Sequence, residues 1–469
     1  MKRLSVLLMK PYSEADEIIP PLGLGYLASA IRKNHEVIIL DGVREKLTLA
    51  GFAQLLEEKS FDVIGIQIFT FHLNILEKYL EIIKNKNPKI ITIVGGPQPS
   101  CSPAETLGKF KNLDYAFRGE AEIGLSNLLD ALAEDQLTEE KKITIPGLIW
   151  RQSSGTVIVN DQMFVKDLDS LGMPAWDLLN FDKYPTSAPH SAFYKNTPIA
   201  PMTTTRGCPF DCTFCAGRMI SGRKVRARSV ASIIKEIEYL HDQFGVKEIS
   251  FEDDNFTFDR SRTMEFCREL IKKPWQISFA FVNGIRLDTL DKELLLSLKA
   301  AGLYEVMVGI ESGSDRVLKI MHKSLTASII RDRVKLIQDS GLEAMGSFII
   351  GYPGETRKEI LETFKFARDL GLKRANFAIF KPFPGTPITV KLMEEGQIDF
   401  TNQDWDNFFL AKAAYAAPGF TAQELKNLRR YGFLRFYLRP VIFYKLLRDI
   451  RSFSHFKFIA KRIFRWIFK

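Results

Sequence analysis

Cysteine is scarce: only five of the 469 residues are cysteine. Nothing marks the chain as secreted, so a disulfide framework is excluded and a reducing cytoplasm is expected. Long apolar runs are absent too. No uninterrupted stretch reaches the roughly 18 residues a spanning helix needs. The opening MKRLSVLLMKPYSE has a basic start and a short apolar run, but no small-residue cleavage site, and Lys10 interrupts it. It reads as a first strand rather than a signal peptide. A general excess of base is also missing. Residues 426–469 carry 13 Lys and Arg against one acid, Asp449, a local charge of +12, and the chain total of +9 leaves −3 for the rest. A nucleic-acid partner for the body is therefore not expected. What remains, 46% hydrophobic and 26% charged residues, is ordinary for a globular protein long enough for two or three domains.

Three of the five cysteines stand together, in the run TTRGCPFDCTFC. Cys208, Cys212 and Cys215 have C-x3-C-x2-C spacing. Three thiolates on one short loop can ligate three irons of a cubane cluster. Such clusters are normally held by four cysteines, so one iron would stay open to a substrate or cofactor. Zinc would want a fourth ligand, and the loop contains no histidine; His190 and His241 are the nearest. Cys101 and Cys267 read as small buried hydrophobes.

The segments around this loop alternate between two periodicities. Residues 4–9, 37–40, 62–67 and 90–94 read as short buried strands, with helix-like stretches at 22–32 and 73–84. Apolar strands alternating with helices predict a doubly wound parallel sheet. Such sheets bind ligands at the carboxyl ends of their strands. The loops there are 20–26, 65–70, 94–98 and 118–122, and each taken singly is equally ordinary turn chemistry. Residues 134–199 lack sustained periodicity apart from a small hairpin, 146–150 with 156–159. Six strands follow at 201–205, 248–251, 278–282, 305–309, 344–350 and 375–379, with helices at 230–243, 260–272, 292–300, 326–340 and 357–370. The row Glu252-Asp253-Asp254-Asn255 closes the second of these strands, and such carboxylates are costly to bury without cations. Gly309–Ser314, Ile350–Thr356 and Lys381–Pro387 close later ones. Ser314 serves equally as a helix cap, and Glu355 as a partner for the next helix dipole. From Thr421 the chain reads as helical. Between Phe453 and Lys469, Lys457, Lys461, Arg465 and Lys469 recur every fourth residue, with Phe456, Ile459, Ala460, Ile463 and Ile467 on another face. That pattern suits a helix on an anionic membrane or one docked on the body.

The cysteine loop, with Phe214 just before its third cysteine, resembles that of the radical SAM superfamily. With the preceding loops the chain is similar to cobalamin-dependent radical SAM enzymes. The resemblance implies an α/β fold: a doubly wound, Rossmann-like cobalamin-binding domain (1–135), a linker with the hairpin (136–199), a partial (β/α)6 barrel (200–395) and a C-terminal helical region with a basic tail (396–469). It implies three cofactors: a 4Fe–4S cluster on the three cysteines, S-adenosylmethionine (SAM) and cobalamin. By resemblance Phe214, Glu252 or Asp253, Glu311 and Ser312 contact SAM. Ile68, Thr70, Gly95, Gly96 and Gln98 cradle the cobalamin nucleotide tail, with Gly119 and Glu120 on the same edge. The D-x-H-x-x-G motif of some cobalamin proteins is missing, since Lys10–Asp16 contains no histidine, so a histidine lower ligand is not expected. His72 is expected to be solvated, and His35 carries no signal. Arg206, Arg218 and Arg223 flank the cysteines without distinction between them.

The implied activity is methylation of an unactivated carbon, using a 5′-deoxyadenosyl radical and methylcobalamin. Oxidative cyclisation or rearrangement without methyl transfer is the alternative, and a membrane-associated Fe–S redox sensor is the third. The implied partners are a small-molecule or lipid-like substrate, an electron donor such as flavodoxin or ferredoxin, and no nucleic acid. The expected location is cytoplasmic, with peripheral contact to the inner membrane face through the tail.

Overall fold

The computed structural model describes residues 2–13, 18–184, 194–401, 403–409 and 412–450, together with 452, 453, 455–457, 459 and 460. Seven strands form the first sheet: β1 (Ser5–Lys10), β2 (Glu36–Asp41), β3 (Val63–Gln67), β4 (Ile91–Gly95), β5 (Tyr115–Phe117), β6 (Leu148–Arg151) and β7 (Val157–Val159), in the order β2-β1-β3-β4-β5-β6-β7. β1 to β5 are parallel, because helices carry each crossover, while β6 and β7 add antiparallel. The strand order reverses between β1 and β3, and a crevice opens at such a point.

The hairpin expected in the linker is the far edge of this sheet, with Ala116 opposite Ile149. The reason is apolar: Leu148, Ile149 and Trp150 are fully buried. The Trp150 indole N–H donates to Asn160 Oδ1 (3.3 Å), and the Asn160 amide donates to the carbonyls of Lys142 and Ile145 (2.6 and 2.8 Å). The first sheet thus runs through Val159, past residue 135.

The second sheet comprises β8 (Ile199–Met202), β11 (Glu248–Phe251), β12 (Ser278–Ile285), β13 (Leu303–Glu311), β14 (Glu343–Ile350) and β15 (Arg374–Ile379). All pair in parallel in the order β15-β14-β13-β12-β11-β8, which gives an open, partial barrel. β8 begins two residues earlier than expected and ends sooner. Beyond it Asp253 captures the backbone N–H of Thr204 (3.1 Å) and draws the chain off the ladder. Thr205–Arg206 (β9) then pairs with Arg226–Ala227 (β10) in a ribbon that brackets the cysteine loop.

The free edge at β15 is covered by the helix Ala422–Tyr437, started by a reciprocal Thr421–Glu424 cap. The Tyr437 hydroxyl donates to the Ala375 carbonyl (2.8 Å) and accepts from its N–H (3.1 Å), and Arg429 Nε donates to the Phe377 carbonyl (3.0 Å). A second helix, Pro440–Arg448, ends at Asp449, which pairs with Lys373 (2.8 Å) and Arg374 (3.5 Å). This part of the C-terminal region is docked on the body. Of the amphipathic stretch 453–469, residues 454, 458 and 461–469 lie outside the described residues.

Candidate active site

A cavity of about 330 Å³ lies between the two sheets, at the carboxyl ends of both. Leu8, Leu22, Gly23, Gly65, Gln67, Gly95 and Gly96 line it from the first sheet, and Thr203, Thr205, Arg206, Glu252 and Asp254 from the barrel. Gly23 follows β1, and Gly65 lies on β3, so the cavity occupies the reversal point of the sheet. Backbone approaches closely here. A methyl on Gly65 would meet Leu8 at 2.9 Å, whereas one on Gly95 would project into open space. Gly96 has φ +103°, and a Cβ there would sit 2.9 Å from the Ile68 carbonyl, so only glycine suits the turn.

Side chains in the adjoining loops have unspent polar atoms. His72, expected to be solvated, is 2% exposed. Phe69 and Phe71 close over it with ring centroids at 5.8 and 4.4 Å. Its Nδ1 accepts from the Phe69 N–H (3.2 Å), and Nε2 has no hydrogen-bond partner among the described residues. Burial, and secondarily Lys10, drives its pKa down to about 3, so the ring is neutral. Gln98 is 4% exposed; its Nε2 reaches Thr106 Oγ1 (3.4 Å), and its Oε1 is likewise unpartnered.

The cysteine loop is pinned from three sides. Thr213 N–H donates to the Met321 carbonyl (3.1 Å), its Oγ1 meets the Tyr352 hydroxyl (2.6 Å), and its carbonyl accepts from Ile388 N–H (3.1 Å). Phe214 packs into the apolar cluster of Val317, Met321, Tyr352 and Phe380. Cys208 and Cys212 are half-buried and Cys215 is exposed, with its Sγ accepting from Gly217 N–H (3.3 Å). Each thiol is raised by desolvation; Asp254 raises Cys208 and Cys215 further, while Lys323 and Arg286 pull Cys212 down. The loop thus has an acidic flank and a basic one. Among the described residues no three His, Cys, Asp or Glu side chains converge on one metal ion. A cubane asks instead for one thiolate per iron, and three separate thiols on a pinned loop fit it.

Three arginines left undistinguished by the sequence part company. Arg218 and Arg223 (2.8 Å) both hold Asp211 inside the loop. Arg206 crosses to the first domain, pairing with Glu122 (2.7 Å) under the Tyr26 ring. Glu120 joins the same brace. Its carboxylate takes both guanidinium nitrogens of Arg226 (2.6 and 2.8 Å) and the Val165 N–H (3.1 Å). The two loops that flank the site are thereby tied to each other across the cavity.

At the barrel's carboxyl end the carboxylates also sort themselves. Asp253 is 3% exposed and accepts from Thr204 N–H, Thr204 Oγ1 (2.8 Å) and Thr205 Oγ1 (2.6 Å). Burial pushes it up to about 6 against those hydrogen bonds. Its function is to hold the strand end, and Glu252 and Asp254 face the cavity instead. Glu311, at φ +66°, holds a strained left-handed conformation for a non-glycine residue. It accepts from Lys323 Nζ (2.8 Å), a pair for which Gly309 leaves room, since a Cβ there would lie 2.6 Å from the Glu311 carboxylate. Ser312 is fully buried and bonds Thr363 (3.2 Å) and the Ser314 N–H (3.1 Å), away from the cavity. Ser314 caps the helix Asp315–Ile320. Thr356 caps the helix Arg357–Asp369, with Glu359 closing the reciprocal box; Glu355 instead accepts from the Gly351 and Tyr352 N–H groups (2.7 and 3.2 Å), and burial lifts it to about 8.

Of the sequence-derived candidates, Gly95, Gly96, Gly119, Glu120 and Glu252 line the cavity. Ile68 turns into the core of the first domain, and Thr70 opens a short 3-10 turn. The sequence reading did not single out Tyr26, Gln67, Asp254 or Lys323. Tyr26 and Gln67 lay within the loops 20–26 and 65–70 expected at the site, and Asp254 was the third acid of its row; Lys323 carried no signal. Cys101, read as a buried hydrophobe, is half-buried, and Cys267 is buried as expected.

Comparison with known proteins accords with this arrangement. Residues 12–129 match the B12 binding domain family, and residues 202–367 match the Radical SAM superfamily. An uncharacterized methyltransferase of Pyrococcus horikoshii is 32% identical, covering 100% of this chain and 99% of its own. The anaerobic magnesium-protoporphyrin IX monomethyl ester cyclase of Rubrivivax gelatinosus is 27% identical over 88% of this chain and 73% of its own. Among solved structures, the radical SAM methyltransferase TsrM of Kitasatospora setae, with cobalamin and a [4Fe–4S] cluster bound, superposes with TM-score 0.69 at 21% identity, covering 84% of this chain and 78% of that one. The chain belongs to the radical SAM superfamily of enzymes, in the branch that carries an N-terminal B12 binding domain.

Proposed function

We propose that this enzyme is a cobalamin-dependent radical SAM methyltransferase acting on an unactivated carbon of a small-molecule or lipid-like substrate. The observation that carries the reading is the single cavity onto which both the glycine edge of the first sheet and the acidic end of β11, beside the cysteine loop, open. Bound together, the cluster and SAM supply a 5′-deoxyadenosyl radical, and cobalamin supplies a transferable methyl group.

The chain's own residues position these groups. Cys208, Cys212 and Cys215 hold the cluster. Glu252 and Asp254 offer negative charge to the SAM ammonium, and the Glu311–Lys323 pair presents both signs to its amino acid end. Gly23, Gly65 and Gly95 leave room for a flat macrocycle against backbone, while His72 and Gln98 offer a buried donor and a buried acceptor to the nucleotide tail. Leu8, Leu22 and Phe117 make that wall apolar and exclude water. The brace of Arg206, Glu122, Glu120 and Arg226 keeps the two cofactor sites at one spacing. An electron donor of flavodoxin or ferredoxin type reduces the cluster, and the reading includes a peripheral membrane contact through the C-terminal region.

The test is anaerobic reconstitution with iron, sulfide and hydroxocobalamin, followed by SAM and a reductant. Bound corrinoid with both 5′-deoxyadenosine and S-adenosylhomocysteine supports methyl transfer. Deoxyadenosine with corrinoid but no S-adenosylhomocysteine favours cyclisation, a reading kept by the likeness to the cyclase of Rubrivivax gelatinosus. An intact cluster that cleaves no SAM would leave the sensor reading.

A further inference from the structure

The docked C-terminal segment has a second face. On the helix Pro440–Arg448, Ile442 is 3% exposed and Leu446 packs on the core, so that side has its partner. Among the described residues the opposite side does not. Val441, Tyr444 and Leu447, spaced three apart, form one stripe and are 67, 62 and 46% exposed, and Leu438, at the end of the preceding helix, is 70% exposed. Phe443 on the same helix, and Phe453 and Phe456 shortly after it in the chain, are exposed as well. Seven of the 22 exposed large apolar side chains of the described residues thus fall within 19 residues. A water-facing surface of this size needs an occupant.

Charge says which. The stripe lies in the segment of residues 426–469 with local charge +12, and its one acid, Asp449, is spent on Lys373 and Arg374. Arg448 stands over the Tyr444 ring (6.0 Å) and Lys457 over the Phe453 ring (4.7 Å), so cations sit at the rim of the aromatic groups. Aromatic and aliphatic groups flanked by Lys and Arg match the boundary between acyl chains and anionic headgroups. We infer that Leu438, Val441, Phe443, Tyr444, Leu447 and Phe453 form an interfacial surface that seats the enzyme on an anionic phospholipid bilayer.

This deepens the membrane contact proposed above by naming its residues and its orientation. Asp449 is pinned to Lys373 and Arg374 at the start of β15, whereas the cavity lies at the carboxyl ends of the strands. The bilayer surface and the cavity are therefore at opposite ends of the barrel. The face anchors the enzyme and does not feed the cavity.

The experiment is flotation of the full-length, anaerobically purified protein with vesicles of phosphatidylcholine alone or with one quarter phosphatidylglycerol. The wild type should float with the anionic vesicles at least about tenfold more than with the neutral ones, and less at high salt. Val441→Glu/Tyr444→Glu/Leu447→Glu should remain in solution, with unchanged cluster content and SAM cleavage. Ile38→Glu, an exposed apolar residue elsewhere, should float like the wild type. A wild type that ignores anionic vesicles would overturn the membrane contact itself. A triple variant that floats equally well would overturn this face as its site. So would a wild-type dimer dissolved by the triple change without vesicle binding, which would make the face a contact between copies.

Discussion

The two ends of the barrel are built from the same six strands and treat polar groups in opposite ways. At the amino end the buried charges Glu248 and Arg374 are held by protein partners. Glu248 accepts from the N–H groups of Lys195 and Asn196 (2.9 and 2.6 Å), from Ser278 Oγ (3.0 Å) and from Tyr304 (2.8 Å). Arg374 meets Glu305 and Asp449. At the carboxyl end Glu252 and Asp254 border a cavity, Glu311 is held in a strained conformation, and the three thiols of the cysteine loop stand close by with Cys215 exposed. A polar group enclosed by its partners holds the architecture; one that also borders a cavity is placed to meet a ligand.

The largest test of that contrast is at the carboxyl end. Replacing Cys208, Cys212 or Cys215 by Ala should cut SAM cleavage about a thousandfold, some 4 kcal/mol of barrier, and remove the cluster absorbance. The apoprotein should unfold in urea as the wild-type apoprotein does. Next comes the amino end. Arg374→Met leaves the Glu305 carboxylate buried without its cation and should cost about 3–5 kcal/mol in urea unfolding. Cluster content in the folded fraction should be unchanged. If the cysteine change lowered stability and the arginine change lowered activity alone, the contrast would collapse.

His72 sharpens it further. Its folded pKa is depressed from 6.5 to about 3. Between those values the unfolded chain takes up a proton that the folded one refuses, so stability present above pH 6.5 is lost as pH falls toward 3, by up to about 1.4 kcal/mol per unit. His72→Gln should flatten that limb of the unfolding curve. The smallest effect is expected at Gly95, where a methyl meets nothing within 4 Å. Gly95→Ala should change stability by less than about 0.5 kcal/mol yet lower the corrinoid retained after reconstitution. Gly96→Ala, at φ +103°, should cost about 1–3 kcal/mol.

The cysteine loop was legible as a motif because its spacing is local, with three thiols inside eight residues. The strands were legible because continuous apolar runs allow little else. The assignment within Glu252-Asp253-Asp254 was not, since it turns on Asp253 capturing Thr204, 49 residues away in sequence. His72 could not be read as buried, because Phe69 and Phe71 fold over it only once β3 has placed them. The hairpin was legible as a hairpin, but its attachment to β5 depends on pairing across two intervening helices. The docking of the C-terminal helix on β15 rests on Tyr437 reaching Ala375, a contact across 62 positions.

The placement of β6 and β7 bears on how this protein can be divided. Cutting at residue 135 would strip β5 of its outer neighbour and bare unpaired N–H and C=O groups along that edge, the kind of edge that recruits other chains into aggregates. Cutting after Asn160 would keep Trp150 and its amide partner in place. The hairpin, not the chain in front of it, is therefore the closing clasp of the first sheet.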